Sequence, residues 1–417
     1  MTYRRLAWAL AAILPLAACT TPVARPGSGV AATPVAAPAP KLLLISIDGL
    51  RADALDRGIT PNLQRIIDSG VRAKWMNPSY PSLTFPNHYT LVTGLRPDKH
   101  GIIHNSMDDG QLGPFKLSDR DTVTKPAWWG GEPIWVSAEQ AGVRTATWSW
   151  PGSEAEVKGV RPSQWRQYDE RVPFERRASD VLAWLQQAGS DAPRLVTLYL
   201  EGVDKAGHHD GPQSAEYTTA IQRADAVIGQ VLDGLQRGGL DATTNVVLVS
   251  DHGMASVPEG HVIATEDMAD PAIARNISVG QSVGFEPMPG QRAAAERVLL
   301  GRHAQYTCWK KGDLPARWHY GSNPRIPAIV CQMDEGWDAL ARETIAKRPQ
   351  QDRGSHGYDN ALPSMRAVFI ARGPSFKQGV VIDDFDNVDL YSLLARLLQV
   401  PAAPNDGDPQ TLLKTLR

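Results

Sequence analysis

Apolar and polar positions along the chain fall into recurring blocks. From residue 41 onward, short runs that are apolar on both faces (residues 42–47, 195–200, 246–249 and 367–370) alternate with longer segments in which apolar positions recur at helical spacing. A strand that is apolar on both faces needs cover on both, so these blocks predict an α/β fold with a mainly parallel central sheet sandwiched by helices. Thr60 is placed to cap a helix that opens with Pro61 and stops before Gly70, and Thr84 to cap one that starts near Pro86 and ends by Gly94. Longer amphipathic helices are expected at about 174–188, 213–238 and 387–399. The rhythm breaks at about 255–345, where apolar runs are few and Gly and Pro frequent, so this stretch is expected to be a smaller lobe inserted into one domain spanning 41–417.

The first residues have a different pattern. Arg4 and Arg5 precede an apolar stretch that ends in Leu16-Ala17-Ala18-Cys19. This reads as a signal peptide over 1–18, too short to span a bilayer comfortably. The Leu-Ala-Ala-Cys ending resembles a bacterial lipobox, which implies lipidation of Cys19; ordinary cleavage with Cys19 incidental is the alternative. Residues 20–40 are rich in Ala and Pro and form an expected tether between anchor and domain. The expected location is therefore outside the cytoplasm, as a periplasmic or outer-membrane-anchored bacterial lipoprotein. In an exported chain the remaining cysteines, Cys308 and Cys331, are expected to pair, closing a loop worth about 3 kcal/mol. Neither sits in a Cys-x-x-Cys pair, which disfavours a metal site there.

Composition narrows the function further. The 417 residues include 43 Lys and Arg against 45 Asp and Glu, a formal net charge of −2, so no nucleic-acid groove built on bulk charge and no specificity for a nucleic-acid polymer are expected. A hydrophobic content of 42% with a single long apolar run, at the N-terminus, excludes a mostly disordered chain and a polytopic membrane protein. A monomer is expected.

The polar residues that carry chemistry fall at predicted strand ends. Asp48 closes Leu-Leu-Leu-Ile-Ser-Ile-Asp; Asp204 and His208 follow the run at 195–200; Asp251 and His252 follow the run at 246–249; His356 lies in a Gly-containing loop. Ligands of open α/β sheets sit beyond the carboxyl ends of the strands, so these segments are placed to converge. Singly, each has a structural explanation as a helix cap or a buried imidazole. Together, three carboxylates and three imidazoles suit two zinc-like ions with open positions for substrate. Thr84, at a helix N-terminus that favours an alkoxide and a bound phosphate, is the candidate nucleophile.

The same residues carry a resemblance. Leu-Ile-Ser-Ile-Asp-Gly-Leu-Arg (44–51), Thr-Phe-Pro-Asn-His-Tyr (84–89), Thr-Gly-Leu-Arg-Pro followed by His-Gly-Ile and Asn105, Glu-Gly-Val-Asp-Lys-Ala-Gly-His with Gly211-Pro212, Ser-Asp-His-Gly-Met (250–254) and Gly-Ser-His-Gly-Tyr-Asp-Asn (354–360) look like the nucleotide pyrophosphatase/phosphodiesterase family of the alkaline phosphatase superfamily, and among its members like bacterial single-domain ones. The resemblance implies an alkaline phosphatase-like fold and two zinc ions, one held by Asp48, Thr84, Asp251 and His252, the other by Asp204, His208 and His356. It implies Asn105 as donor to a nonbridging phosphoryl oxygen, and Phe85 and Tyr168 as the aromatic pair that sandwiches a nucleobase. For Asn105 a turn residue, and for the two aromatics core packing, are the alternatives. The implied activity is hydrolysis of nucleotide phosphodiester and pyrophosphate bonds through a phosphothreonine, releasing nucleoside 5′-monophosphates.

Charge favours diesters over monoesters. Three aspartates and two divalent cations leave a small positive excess that ionising Thr84 cancels, and Leu83 and Phe85, which flank Thr84, add no cation for a dianionic monoester. Competing readings are a choline or lysophospholipid phosphodiesterase of the same family, a phosphomonoesterase or sulfatase sharing the fold, and a noncatalytic envelope-binding lipoprotein.

Overall fold

The structure is a computed structural model and describes residues 39–417. The signal peptide, Cys19 and most of the tether lie outside the described residues.

Eight strands form the central sheet, in the spatial order Val380–Ile382, Gly70–Ala73, Phe369–Arg372, Thr244–Val249, Lys41–Ile47, Leu195–Leu200, Thr145–Trp148, Gln164–Arg166. Only Phe369–Arg372 runs antiparallel to its neighbours. The strand Lys41–Ile47 shows why the sheet is buried on both faces. Leu43, Ile45 and Ile47 enter one core with residues of the helices Pro61–Asp68, Phe174–Gln186 and Ala215–Arg237. Leu42 and Leu44 point the other way, into a core shared with Thr84–Thr93, Ile134–Gln140 and Leu390–Leu398. The period-2 alternation of side chains thus feeds two helix layers from one strand.

The expected helices are all present with bounds shifted by a few residues, and two caps differ from expectation. Thr60 precedes Pro61 without a side-chain capping bond. Thr84 is the first helical residue, preceded by Leu83 as the cap, so its hydroxyl is released from capping and faces the site. Ser214 does cap the long helix, accepting from the Tyr217 amide at 3.0 Å.

A separate antiparallel sheet of five strands lies between residues 274 and 333. Its strands Tyr306–Lys310 and Ile329–Met333 place Cys308 directly opposite Cys331, and the two are joined by a disulfide. Among the described residues no helix is long and apolar enough to cross a membrane.

Candidate active site

Three neighbouring parallel strands deliver the acidic residues. Asp48 follows Lys41–Ile47, Asp251 follows Thr244–Val249, and Asp204 and His208 lie one turn apart on the helix Gly202–Asp210 that follows Leu195–Leu200. Gly49 makes this convergence possible. Its φ of +68° suits glycine, and a Cβ there would stand 3.0 Å from the Asp204 Cα. His356 arrives from the loop after Arg353–Ser355, and Thr84 from the helix across the sheet end.

The imidazoles are oriented by their backbones. His208 Nδ1 lies 3.2 Å from the Gly354 carbonyl, His356 Nδ1 2.9 Å from the Ser82 carbonyl, and His252 Nδ1 2.9 Å from the Gly253 carbonyl. A carbonyl only accepts, so each ring donates from Nδ1 and turns the Nε2 lone pair inward. Those nitrogens meet the carboxylates. Asp204 Oδ1 is 3.5 Å from His208 Nε2 and 3.4 Å from His356 Nε2, and the two Nε2 atoms are 3.0 Å apart. His252 Nε2 is 2.9 Å from Asp251 Oδ2, 3.5 Å from Asp48 Oδ1 and 3.3 Å from Thr84 Oγ1.

This donor set fits divalent cations. Asp48 Oδ1, Asp204 Oδ1 and Asp251 Oδ2 are buried without a hydrogen-bond partner, which is unfavourable unless a cation takes their place in the bonding. Asp48, Asp251 and His252 group within ligating distance of one another, as do Asp204, His252 and His356. Mixed imidazole and carboxylate ligands with locked Nδ1 protons are the pattern of zinc-type sites. Without cations the cluster is electrostatically uneven. Burial, then Asp251 and Asp204, push the Asp48 carboxyl well above its ordinary range. Burial opposes ionisation of Asp251 too, but His252 and His88 outweigh it and hold this carboxyl well below its usual range. Burial, then His252 and His208, hold His356 well below the usual imidazole value.

Two supporting residues escaped the sequence reading. Tyr199 donates to Asp48 Oδ2 at 2.5 Å, and His88, one helical turn after Thr84, lies 2.8 Å from Ser46 Oγ and 3.2 Å from Asp251 Oδ2. His88 stands inside the quoted Thr-Phe-Pro-Asn-His-Tyr motif, and its i+4 spacing from Thr84 was the available signal. Asn105 accepts the Phe85 amide N–H at 3.0 Å through Oδ1, which leaves its Nδ2 as a free donor. A cavity of ≈ 310 Å³ opens beside these groups, lined by Thr84, Asn105, His208 and His356 and by both Phe85 and Tyr168. The site residues expected from the sequence therefore gather in one place, whereas Cys308 and Cys331 lie in the other sheet.

Residues 42–359 match the family described as type I phosphodiesterase/nucleotide pyrophosphatase. The chain belongs to that family. A protein of Schizosaccharomyces pombe described as an uncharacterized pyrophosphatase/phosphodiesterase is 37% identical over 88% of this chain and 78% of its own length. Ectonucleotide pyrophosphatase/phosphodiesterase family member 3 of the rat is 35% identical over 91% of this chain, and a venom phosphodiesterase of Macrovipera lebetinus 36% identical over 90%. The chain spans 44% and 45% of the length of these two relatives. The murine ectonucleotide pyrophosphatase/phosphodiesterase 5, solved as an inactive threonine-to-alanine variant in complex with AMP, superposes with a TM-score of 0.85 at 33% identity, over 91% of this chain and all of the other. The fold is that of these enzymes, with the alkaline phosphatase-like mixed sheet flanked by helices.

Proposed function

We propose that the chain hydrolyses phosphodiester and pyrophosphate bonds of nucleotides with two zinc ions and Thr84 as nucleophile, releasing nucleoside 5′-monophosphates. The observation that carries this is the meeting of three inward Nε2 lone pairs and three orphaned carboxylate oxygens beside the Thr84 hydroxyl. The zinc ions, held by Asp48, Thr84, Asp251 and His252 and by Asp204, His208 and His356, would supply the positive charge that ionises the hydroxyl and offsets charge on the phosphoryl oxygens.

Thr84 Oγ attacks phosphorus and the bond to the alcohol or phosphate leaving group breaks, which gives a nucleoside phosphothreonine diester. Asn105 Nδ2 donates to a nonbridging oxygen, with the amide turned by the Phe85 N–H. Water then attacks phosphorus from the opposite side, restores the Thr84 hydroxyl and frees the monophosphate. Phe85 and Tyr168 form the two walls of a slot for the nucleobase. The AMP complex of the murine relative and its inactivation by a threonine-to-alanine change support this reading.

The N-terminal motif supports export and lipid anchoring of a bacterial protein through Cys19, with residues 20–40 as tether. The deciding experiment is turnover of the zinc-loaded mature domain on p-nitrophenyl thymidine 5′-monophosphate against p-nitrophenyl phosphate. A diester preference of several orders of magnitude is expected; equal rates or a monoester preference would remove the diesterase reading.

A further inference from the structure

The proposed nucleobase slot has a wall that neither the metal cluster nor the aromatic pair accounts for. The segment behind Phe85 contributes Phe115 and Trp129, whose rings lie 6.1 Å and 5.9 Å from that of Phe85. Arg120, on the short helix Arg120–Val123 of the same segment, forms an ion pair with Glu154. Glu154 is buried, and its Oε1 accepts the Tyr168 amide N–H at 3.0 Å. One ion pair therefore ties the wall that carries Phe85 to the wall that carries Tyr168, and both partners line the same cavity.

The two partners are unequally satisfied. Glu154 has Oε1 taken by Tyr168 and Oε2 by Arg120. Arg120 reaches Glu154 through Nη2, and since its Nε is closed off from the cavity, the donors it can turn toward an occupant are those of its terminal nitrogens. What Arg120 offers an occupant is donors on a cation that Glu154 holds in place, with both Glu154 oxygens already engaged. Leu117 and Val123 line the cavity beside it, and such apolar neighbours raise the cost of leaving a polar edge unmatched.

We infer that Arg120 is a specificity-determining residue, presenting N–H donors to the edge of a nucleobase held between Phe85 and Tyr168 and selecting guanine and uracil over adenine and cytosine. Guanine and uracil carry a ring carbonyl where adenine and cytosine carry an amine. The carbonyl accepts a charge-assisted hydrogen bond. The amine sets donor against donor and leaves both unpaired in a desolvated site. The inference rests on the nucleotide reading of the slot.

The test is kcat/KM for GTP, ATP, UTP and CTP with the zinc-loaded protein, products separated by chromatography, in wild type and Arg120→Met. Wild type is expected to favour GTP over ATP and UTP over CTP by about tenfold, the worth of one charge-assisted bond, and Arg120→Met to bring both ratios near one. Wild-type ratios near one or reversed, or ratios that Arg120→Met leaves unchanged, overturn the assignment. Because each ratio is measured within one protein, loss of folded material does not imitate the effect; Arg120→Ala replaces a Met variant that does not fold. Phe85→Ala separates this inference from its premise. If that variant keeps the wild-type preference for nucleotides over bis(p-nitrophenyl) phosphate, the slot reading itself fails and takes the inference with it. If it loses the preference while Arg120→Met leaves the base ratios intact, only the role of Arg120 fails.

Discussion

The two ligand clusters are built from the same chemistry and differ in their access to water. Asp48, Asp251 and His252 are essentially without solvent exposure and are held from behind by the Gly49 amide, Tyr199 and His88. Across the Thr84 hydroxyl, the His208 side chain is 42% exposed and that of Asp204 14%. The first cluster is continuous with the core at the strand ends, so its ionisation is bound up with folding. The second opens further to solvent through Asp204 and His208, although its His356 is buried and Asp48 of the first also borders the cavity. Burial thus assigns different work to two sets of similar ligands: one fixes charge and the other admits reactants.

Thr84 stands between the clusters, and its removal has the largest expected effect. Thr84→Ala is expected to lower kcat by on the order of 10³-fold or more, as for other covalent nucleophiles, while bound metal measured by atomic spectroscopy stays near two equivalents. Wild-type turnover in this variant would rule out the covalent route.

A paired substitution sharpens the contrast directly. Asp251→Asn breaks a buried arrangement with His252 and His88 and is expected to cost about 3–5 kcal/mol of folding stability. His208→Asn, on the exposed side, is expected to leave stability within about 1 kcal/mol and to weaken metal binding instead. Urea unfolding of both proteins checks this, and equal losses would mean that the clusters do not differ as their burial indicates. Tyr199→Phe probes the buried cluster more gently, because it removes only the hydroxyl that orients Asp48. Metal affinity is expected to fall about 10- to 100-fold, measured by competition with a chelator dye, with the open cluster's ion unaffected.

How much of this was legible in the sequence depends on whether the signal was local. Strands apolar on both faces, such as 42–47 and 195–200, and residues at the ends of such runs, such as Asp48 and Asp251, announce themselves within a few positions. The antiparallel direction of Phe369–Arg372 does not, since strand direction is set by a connection and leaves no mark on the residues. Thr84 read as a cap because a threonine before Pro86 suits either role; the structure starts the helix at Thr84 itself. Tyr199 sits in an apolar run, and nothing in that run says that its hydroxyl faces Asp48 on the neighbouring strand. The Arg120–Glu154 pair spans 34 residues and becomes visible only once the walls of the cavity are assembled.

Buried histidines offer one more way to sharpen the comparison. Burial opposes the charge on His252, but Asp251 and Asp204 together outweigh it and raise this imidazole, whereas at His100, equally buried, burial outweighs the nearby Asp406 carboxylate and pulls the ring down to about 3. The His100 ring is also committed to the neutral form by its partners. Nδ1 accepts the Ile102 amide N–H at 3.1 Å, so Nε2 carries the proton, within reach of Thr90 Oγ1 at 3.1 Å and the Pro86 carbonyl at 3.2 Å. A folded-state value below the unfolded one near 6.5 gives a definite sign: the contribution is whole above pH 6.5 and is lost as pH falls from there toward 3, because the unfolded chain takes up the proton first. At pH 5.5 the loss from this one residue is about 1.4 kcal/mol. Unfolding free energies of wild type and His100→Gln at pH 7.5 and 5.5 isolate it, since the variant starts from a lower stability but its decline between the two pH values is expected to be smaller than that of wild type by that amount. Equal declines would mean that the ring titrates freely in the folded protein, and the burial argument made for the metal-ligand clusters would then need a different foundation.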